Sequence, residues 1–100
     1  MDEIILPDVL EFEWDEGNST KSWVKHKVSV KEQEQVFFDK HKRAFKDTEH
    51  SHIEKRFILF GKTKKGRKLI IAFTIRDAKI RCISARPMNR KEVPIYISQT

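Results

Sequence analysis

The chain has 100 residues, 38% of them hydrophobic and 36% charged, with a net charge of +6 and one cysteine. That length predicts a single small domain, residues 1–100, while one cysteine excludes an internal disulfide and no stretch approaches the roughly 20 apolar residues of a membrane span. The basic excess favours a polyanion or an acidic protein as partner, and the acidic start MDEIILPDVLEFEWD reads as neither leader nor anchor, so the cytoplasm is the expected compartment.

Residues 9–14, VLEFEW, alternate Val9, Glu11 and Glu13 against Leu10, Phe12 and Trp14. That period of two predicts a short strand, half buried on one face. Asp15 or Asn18 can then cap a helix with Trp23 and Val24 on its core side and Lys21, Lys25 and Lys27 in water. Ser29 with Glu32 three residues on forms a capping box, and Val30, Gln33, Val36 and Phe37 follow at helical spacing. Residues 39–51 are polar and are expected to be irregular.

Three strand-like runs come next, at 55–61, 67–75 and 79–85, rich in β-branched and aromatic residues. The loops between them, KTKKG and RDA, are of hairpin length, and Gly66 supplies turn freedom in the first. After Pro87, MNRKEV suits a short helix that Pro94 should end or kink. The order is β-α-α-β-β-β with a short C-terminal helix. This is an α+β fold, with helices packed on one face of a four-stranded antiparallel sheet and the other face partly open.

Alternation along the strands sends Leu69, Ile71, Phe73 and Ile75 toward the helices. The opposite face then carries Arg56, Arg76 and one of Arg81 and Arg86 near strand ends, with Arg67 and Lys68 at another end. The guanidinium fork matches phosphate oxygens in pairs, which suits a phosphodiester. The competing reading is rim ion pairs with Glu11, Glu13, Glu54 or Asp77. The stretch ISARPMNRKE gathers Ser84, Arg86, Arg90 and Lys91 at a strand end with Glu92 as the one nearby acid. Lys25-His26, near a helix end, offers a titrating base or a solvated face. Cys82 reads as a small core residue. His41, His50 and His52 lack the ligand spacing of a zinc site. With no Gly-rich phosphate loop, nucleophile elbow or HExxH either, no metal and no cofactor are expected.

Four stretches together resemble one family: FEWDEGNSTKSWVKHKVS (12–29), HSHIEKRFILFG (50–61), GRKLIIAFTIR (66–76) and IRCISARPMNRKE (80–92). They are similar to the BrnT toxins of bacterial type II toxin–antitoxin pairs. The shared pattern is a Phe-x-Trp-Asp opening, Glu-x-Arg before a strand, Gly-Arg leading into a strand that ends Phe-Thr-x-Arg, then Ile-Ser-Ala-Arg, a basic segment with Glu, and a Tyr. It covers about residues 12–96. Lys27 stands where the family usually has Gly, and Pro94 falls inside the expected last helix.

The resemblance implies a RelE-like fold and a metal-independent endoribonuclease that cuts RNA by attack of the 2′-hydroxyl, inhibits translation and arrests growth. It also implies a BrnA-like antitoxin with a ribbon-helix-helix DNA-binding part, a hetero-oligomer with it, and contact with DNA only through that complex. No membrane is involved. On this reading Arg56, Arg76 and Arg86 stabilise charge on the phosphate, with Arg81 and Arg67 behind them. Glu54, Lys25 or His26 moves the proton, with Lys21 a further candidate. Ser84 orients Arg86 or meets RNA, Arg90 and Lys91 follow the RNA backbone, and Tyr96 positions it. The alternative is a non-catalytic nucleic-acid-binding module, or an inactive toxin that serves as an antitoxin-binding subunit.

Overall fold

The computed structural model describes residues 2–8, 10–50 and 54–98. In chain order the elements are β1 (Glu3–Ile4), α1 (Lys21–His26), α2 (Val30–Phe37), β2 (Arg43–Asp47), β3 (Arg56–Lys62), β4 (Lys68–Arg76), β5 (Lys79–Pro87) and α3 (Val93–Ile97), with a 3₁₀ turn at Thr48–His50. The sheet runs β1-β2-β3-β4-β5, antiparallel throughout.

The main core lies between α2 and one face of the sheet. Leu59, Leu69, Ile71 and Phe73 rise from the strands to meet Val36 and Phe37. Phe37 bridges Phe12 and Phe73 edge-on, with ring centroids 5.3 and 5.1 Å away. The capping box starts α2 as expected: Ser29 Oγ accepts from the Glu32 amide, and the Glu32 carboxylate accepts from the Ser29 amide. Gly61 lets this helix come close, because a Cβ there would sit 2.7 Å from Val36 Cγ1.

Five expectations are corrected. The sheet has five strands, because residues 43–47 form β2 rather than irregular chain. Ala44 faces the main core and Phe45 faces the other way, into a second cluster with Phe60 and Tyr96, so neighbouring apolar residues replace the alternation that marks a half-buried strand. Of the strand expected at 9–14, residue 9 lies outside the described residues and residues 10–14 do not form a sheet strand. In the described part, Phe12 makes one parallel bridge to Ile80, while Leu10, Phe12 and Trp14 pack on the core as expected. Trp23 and Val24 are exposed and Ser22 is the buried residue of α1. Finally, the last helix starts at Val93 and runs on past Pro94 instead of ending there. Asn89 turns the chain by accepting from the Lys91 and Glu92 amides. Pro94 then sits in the first turn of α3, where no N–H is needed. Through Tyr96, α3 packs on the face opposite α2, so the helices do not share one face.

Among the described residues, three hold left-handed backbone without being glycine. Asp77 (φ 50°) and Ala78 (φ 64°) make the two-residue β4–β5 turn, and Lys27 (φ 56°) closes the C-terminus of α1. Each favours glycine there, since a Cβ crowds the neighbouring carbonyl. Lys27→Gly and Ala78→Gly should each raise stability by about 1 kcal/mol. Gly61→Ala should lower it by about 1–3 kcal/mol, because a branched side chain and helix backbone must move aside. Urea unfolding of the three variants checks all of these.

Candidate functional site

Strand β5 carries a bulge. Ala72 pairs with Ser84 and Phe73 with Cys82, leaving Ile83 as the extra residue. One extra residue flips the side-chain parity beyond it. Cys82 and Ala85 therefore both point into the core, and Arg81, Ser84 and Arg86 all share the opposite face. Strict alternation had allowed only one of the two arginines there.

The outer edge of β5 is closed by backbone and side chains of the segment that runs from Glu11 to Ser22. Ile80 exchanges backbone hydrogen bonds with Glu11 and Glu13, Asn18 donates to the Cys82 carbonyl, and Ser22 Oγ accepts from the Ala85 amide at 2.8 Å. Ser22 thus docks α1 beside Ala85. Positions three and four residues on lie on the same helix face, so Lys25 and His26 project over the end of β5. The result is a cleft of about 210 Å³ lined by Lys21, Ser22, Lys25, His26, Ser84, Ala85 and Arg86. Five of the sequence candidates, Lys21, Lys25, His26, Ser84 and Arg86, meet there.

Arg86 is fixed in place. It donates two hydrogen bonds, each 2.7 Å, to the carboxylate of Glu92, which also accepts from the Asn89 amide. The two Arg86 bonds are the main reason the Glu92 carboxyl is held below the ordinary carboxylate range. The Arg86 side chain remains 42% exposed, so its outer surface still reaches solvent. Arg90 and Lys91 are exposed on the adjoining turn.

Arg67 lies outside the cleft and holds its wall. Its guanidinium donates to the His26 and Lys27 carbonyls and to the Glu32 carboxylate. It therefore caps the last turn of α1 and ties that turn to the start of α2. Burial alone would raise Glu32, but the Ser29 amide and Arg67 bring it below its ordinary value.

The remaining candidates form a separate ionic cluster at the β4–β5 turn. Arg76 grips Glu54 through two bonds. Arg81 grips Asp15 through two and reaches Glu13 at 3.1 Å. Arg56, half-buried at the start of β3, adds to the positive field on Glu54. Its bond to Arg76 holds the Glu54 carboxyl low, which suits a permanent anion better than a proton acceptor. Arg81 and Arg86 are separated by five positions along β5, roughly 15 Å at strand rise. The structure does not bring Glu54, Arg56, Arg76 and Arg81 to the cleft.

Tyr96 is 5% exposed, with its ring against Phe45 and Phe60 and its hydroxyl donated to Asp39. Burial and that carboxylate push its phenol up. Burial also pushes the Cys82 thiol up, in keeping with an inert core residue. Among the described residues no three His, Cys, Asp or Glu side chains gather to hold a metal ion, and His52 lies outside the described residues. No described helix is long and apolar enough to cross a membrane. Sequence reasoning missed Ser22 as the docking point. The only signal was a small polar residue lying among lysines one helical turn before Lys25 and His26.

The amino-acid sequence matches a known family. The family model for the ribonuclease toxin BrnT of type II toxin–antitoxin systems matches residues 14–92. No curated protein matches the chain. The chain belongs to the BrnT family.

The carboxylates Glu32, Glu54 and Glu92 all titrate below their ordinary value of 4.5 in the folded chain. A lowered folded value means that their stabilising contribution is complete above the ordinary value and lost as pH falls through the folded one. The melting temperature should therefore stay level from about pH 7 to about pH 5 and fall in more acid solution. Glu92→Gln should lower the neutral-pH melting temperature and flatten part of that acid fall, as calorimetry across pH would show.

Proposed function

We propose that the cleft between α1 and β5 is where this BrnT-family toxin binds and cuts RNA, without a metal ion. One observation carries the reading. Independent elements bring Lys21, Lys25, His26, Ser84 and Arg86 around one cleft, with Arg86 held in advance by Glu92. A preorganised guanidinium beside flexible ammonium groups suits a phosphate that gains negative charge in the transition state. Two early helices followed by an antiparallel meander support the RelE-like comparison.

In this mechanism Arg86 donates to the nonbridging oxygens of the scissile phosphate. Ser84 hydrogen-bonds beside it. His26 takes the proton of the 2′-hydroxyl, which attacks its own 3′-phosphorus, because histidine changes charge near neutral pH. Lys25 gives a proton to the leaving 5′-oxygen, and Lys21 adds charge at the mouth. The products are a 2′,3′-cyclic phosphate and a free 5′-hydroxyl. Holding the chain in line contributes about 7–11 kcal/mol to such a reaction, and proton transfer a further factor of about 10²–10⁴.

The ionic cluster of Arg56, Arg76 and Arg81 takes a supporting role. Its arginines guide the RNA backbone across the open face, as Arg90 and Lys91 do at the other end. Inhibition of translation follows from cutting messenger RNA. The exposed lysines and arginines around the cleft suit an acidic stretch of a BrnA-like antitoxin, whose ribbon-helix-helix part would carry the pair to DNA. The cytoplasm is the compartment for all of this.

The test is cleavage of a long single-stranded RNA by the purified chain in EDTA, with both new ends mapped. The wild type should leave 2′,3′-cyclic phosphate ends. Arg86→Ala and His26→Ala should each slow cleavage by about 10²–10³-fold while circular dichroism stays unchanged. Arg76→Ala, at an exposed ion pair outside the cleft, should slow it by less than about tenfold. RNA left intact, with ribosomes also added and with salt-dependent binding, would establish the non-catalytic alternative.

A further inference from the structure

The β3–β4 hairpin turns through KTKKGRK, residues 62–68, which holds no aliphatic or aromatic side chain. Its backbone is closely held. The Asp39 carboxylate accepts from the Lys62 amide, the Gln35 side chain from the Lys64 amide, and the buried Thr63 from the amides of Gly66 and Arg67. Arg67 is engaged with Glu32. Lys62, Lys64, Lys65 and Lys68 are exposed, and among the described residues no ion pair reaches them. A fixed loop thus presents mobile ammonium groups.

The register sets them beside the cleft. Lys62 pairs with Lys68, Phe60 with Ile70, and Ile70 with Arg86. Paired residues share a face and alternate residues return to it, so Lys62, Lys68, Ile70 and Arg86 all lie on the face opposite the main core. Lys68 is about 7 Å along β4 from Ile70 and one strand over from Arg86. The Met88 amide donates to the Lys68 carbonyl, so the turn with Arg90 and Lys91 leaves the sheet at the same end. Like charges placed directly opposite, as Lys62 and Lys68 are, destabilise a sheet. Folding does not call for this pair, and a polyanion laid across it relieves the repulsion.

The chemistry favours RNA over an acidic protein. Protein interfaces are depleted in lysine and anchored by aromatic side chains, which this segment lacks. Flexible lysines suit phosphate contacts that carry no sequence information. We propose that Lys62, Lys64, Lys65 and Lys68 form a backbone track for single-stranded RNA, gripping the strand where it leaves the cleft past Arg86. The track rests on the cleft being the phosphate site, and it makes length rather than sequence the property by which it selects substrate.

Fluorescence anisotropy tests it with 2′-O-methyl RNA, which has no 2′-hydroxyl to attack, at lengths of about 4 and about 20 nucleotides over a range of salt. Polyglutamate serves as the acidic-protein probe. The track variant carries Lys62→Gln, Lys64→Gln, Lys65→Gln and Lys68→Gln. A control of equal charge carries Lys31→Gln, Lys46→Gln, Lys55→Gln and Lys79→Gln, all at exposed positions on other elements or loops. The track variant should bind the longer RNA about tenfold or more weakly, with a log–log salt slope shallower by about 2–3, and bind the shorter RNA like the wild type. It should melt no lower than the wild type, and the control should lose much less affinity. Equal losses in the two variants, a loss as large for the shorter RNA, or unchanged binding of the longer RNA overturns the track. Loss of polyglutamate binding with RNA binding intact overturns it in favour of an acidic protein. Weaker binding of the longer RNA by the track variant but not by Arg86→Ala supports the track and overturns the cleft as the phosphate site instead.

Discussion

The unpaired edge of β5 is the constraint on which the rest depends. An exposed strand edge offers N–H and C=O groups that invite another chain. Here the N-terminal segment closes it without becoming a full strand. Backbone bonds at Ile80 give way to the Asn18 amide on the Cys82 carbonyl, and then to the Ser22 hydroxyl on the Ala85 amide. Both side chains are almost completely buried. Because the last fastening is a helical serine, α1 lies beside the strand end rather than over the sheet. Its basic face is thereby committed to the space above Ser84 and Arg86. The cleft follows from how the edge is protected, and the β5 bulge completes it by turning Ser84 and Arg86 outward.

The charge excess divides into two kinds. Arg43, Arg67, Arg76, Arg81 and Arg86 each hold a carboxylate, and four of the five also fasten separate parts of the chain. Arg43 joins β2 to Glu3 and to the Ile95 carbonyl in α3, and Arg81 joins β5 to the Asp15 turn. Exposed ion pairs of this kind add little stability singly, but they fix where the guanidinium groups sit. The lysines contribute the mobile charge. Lys21 and Lys25 are exposed at the cleft. A polyanion approaching this face meets a soft positive field first and a fixed arginine next, and salt would screen the first much more than the second.

Much of the fold is legible in the sequence, and the failures have physical causes. The three long strands and the Ser29–Glu32 cap could be read because one periodicity or one local motif decides each of them. Strand β2 could not, since it buries Ala44 on one face and Phe45 on the other. The docking face of α1 was misread because Trp23 and Val24 are apolar, whereas the contact that orients this helix is one hydroxyl on one amide. At the site, Lys25, His26, Ser84 and Arg86 were readable as candidates from residue type. Their meeting was not, because it depends on the Ile83 bulge and on Ser22. The sequence also could not separate Arg76 and Arg81 from Arg86. Their different positions come from pairing with Glu54, Asp15 and Glu92, which lie from 6 to 66 residues away.

The site also stands on a weak element. A helix of six residues does not persist alone in water, so α1 exists because tertiary contacts hold it. Those contacts are few: Ser22 on β5, Arg67 on the His26 and Lys27 carbonyls, and the buried Val28 just after the helix. Between them Lys27 keeps a left-handed backbone that opposes the other contacts by about 1 kcal/mol. Segments held by so few contacts open at lower free energy than the core. The β5 side of the cleft is different, since Arg86 projects from the long β4–β5 hairpin and is braced by Glu92. One wall is therefore rigid and carries the fixed guanidinium, while the wall with Lys25 and His26 can move away from it.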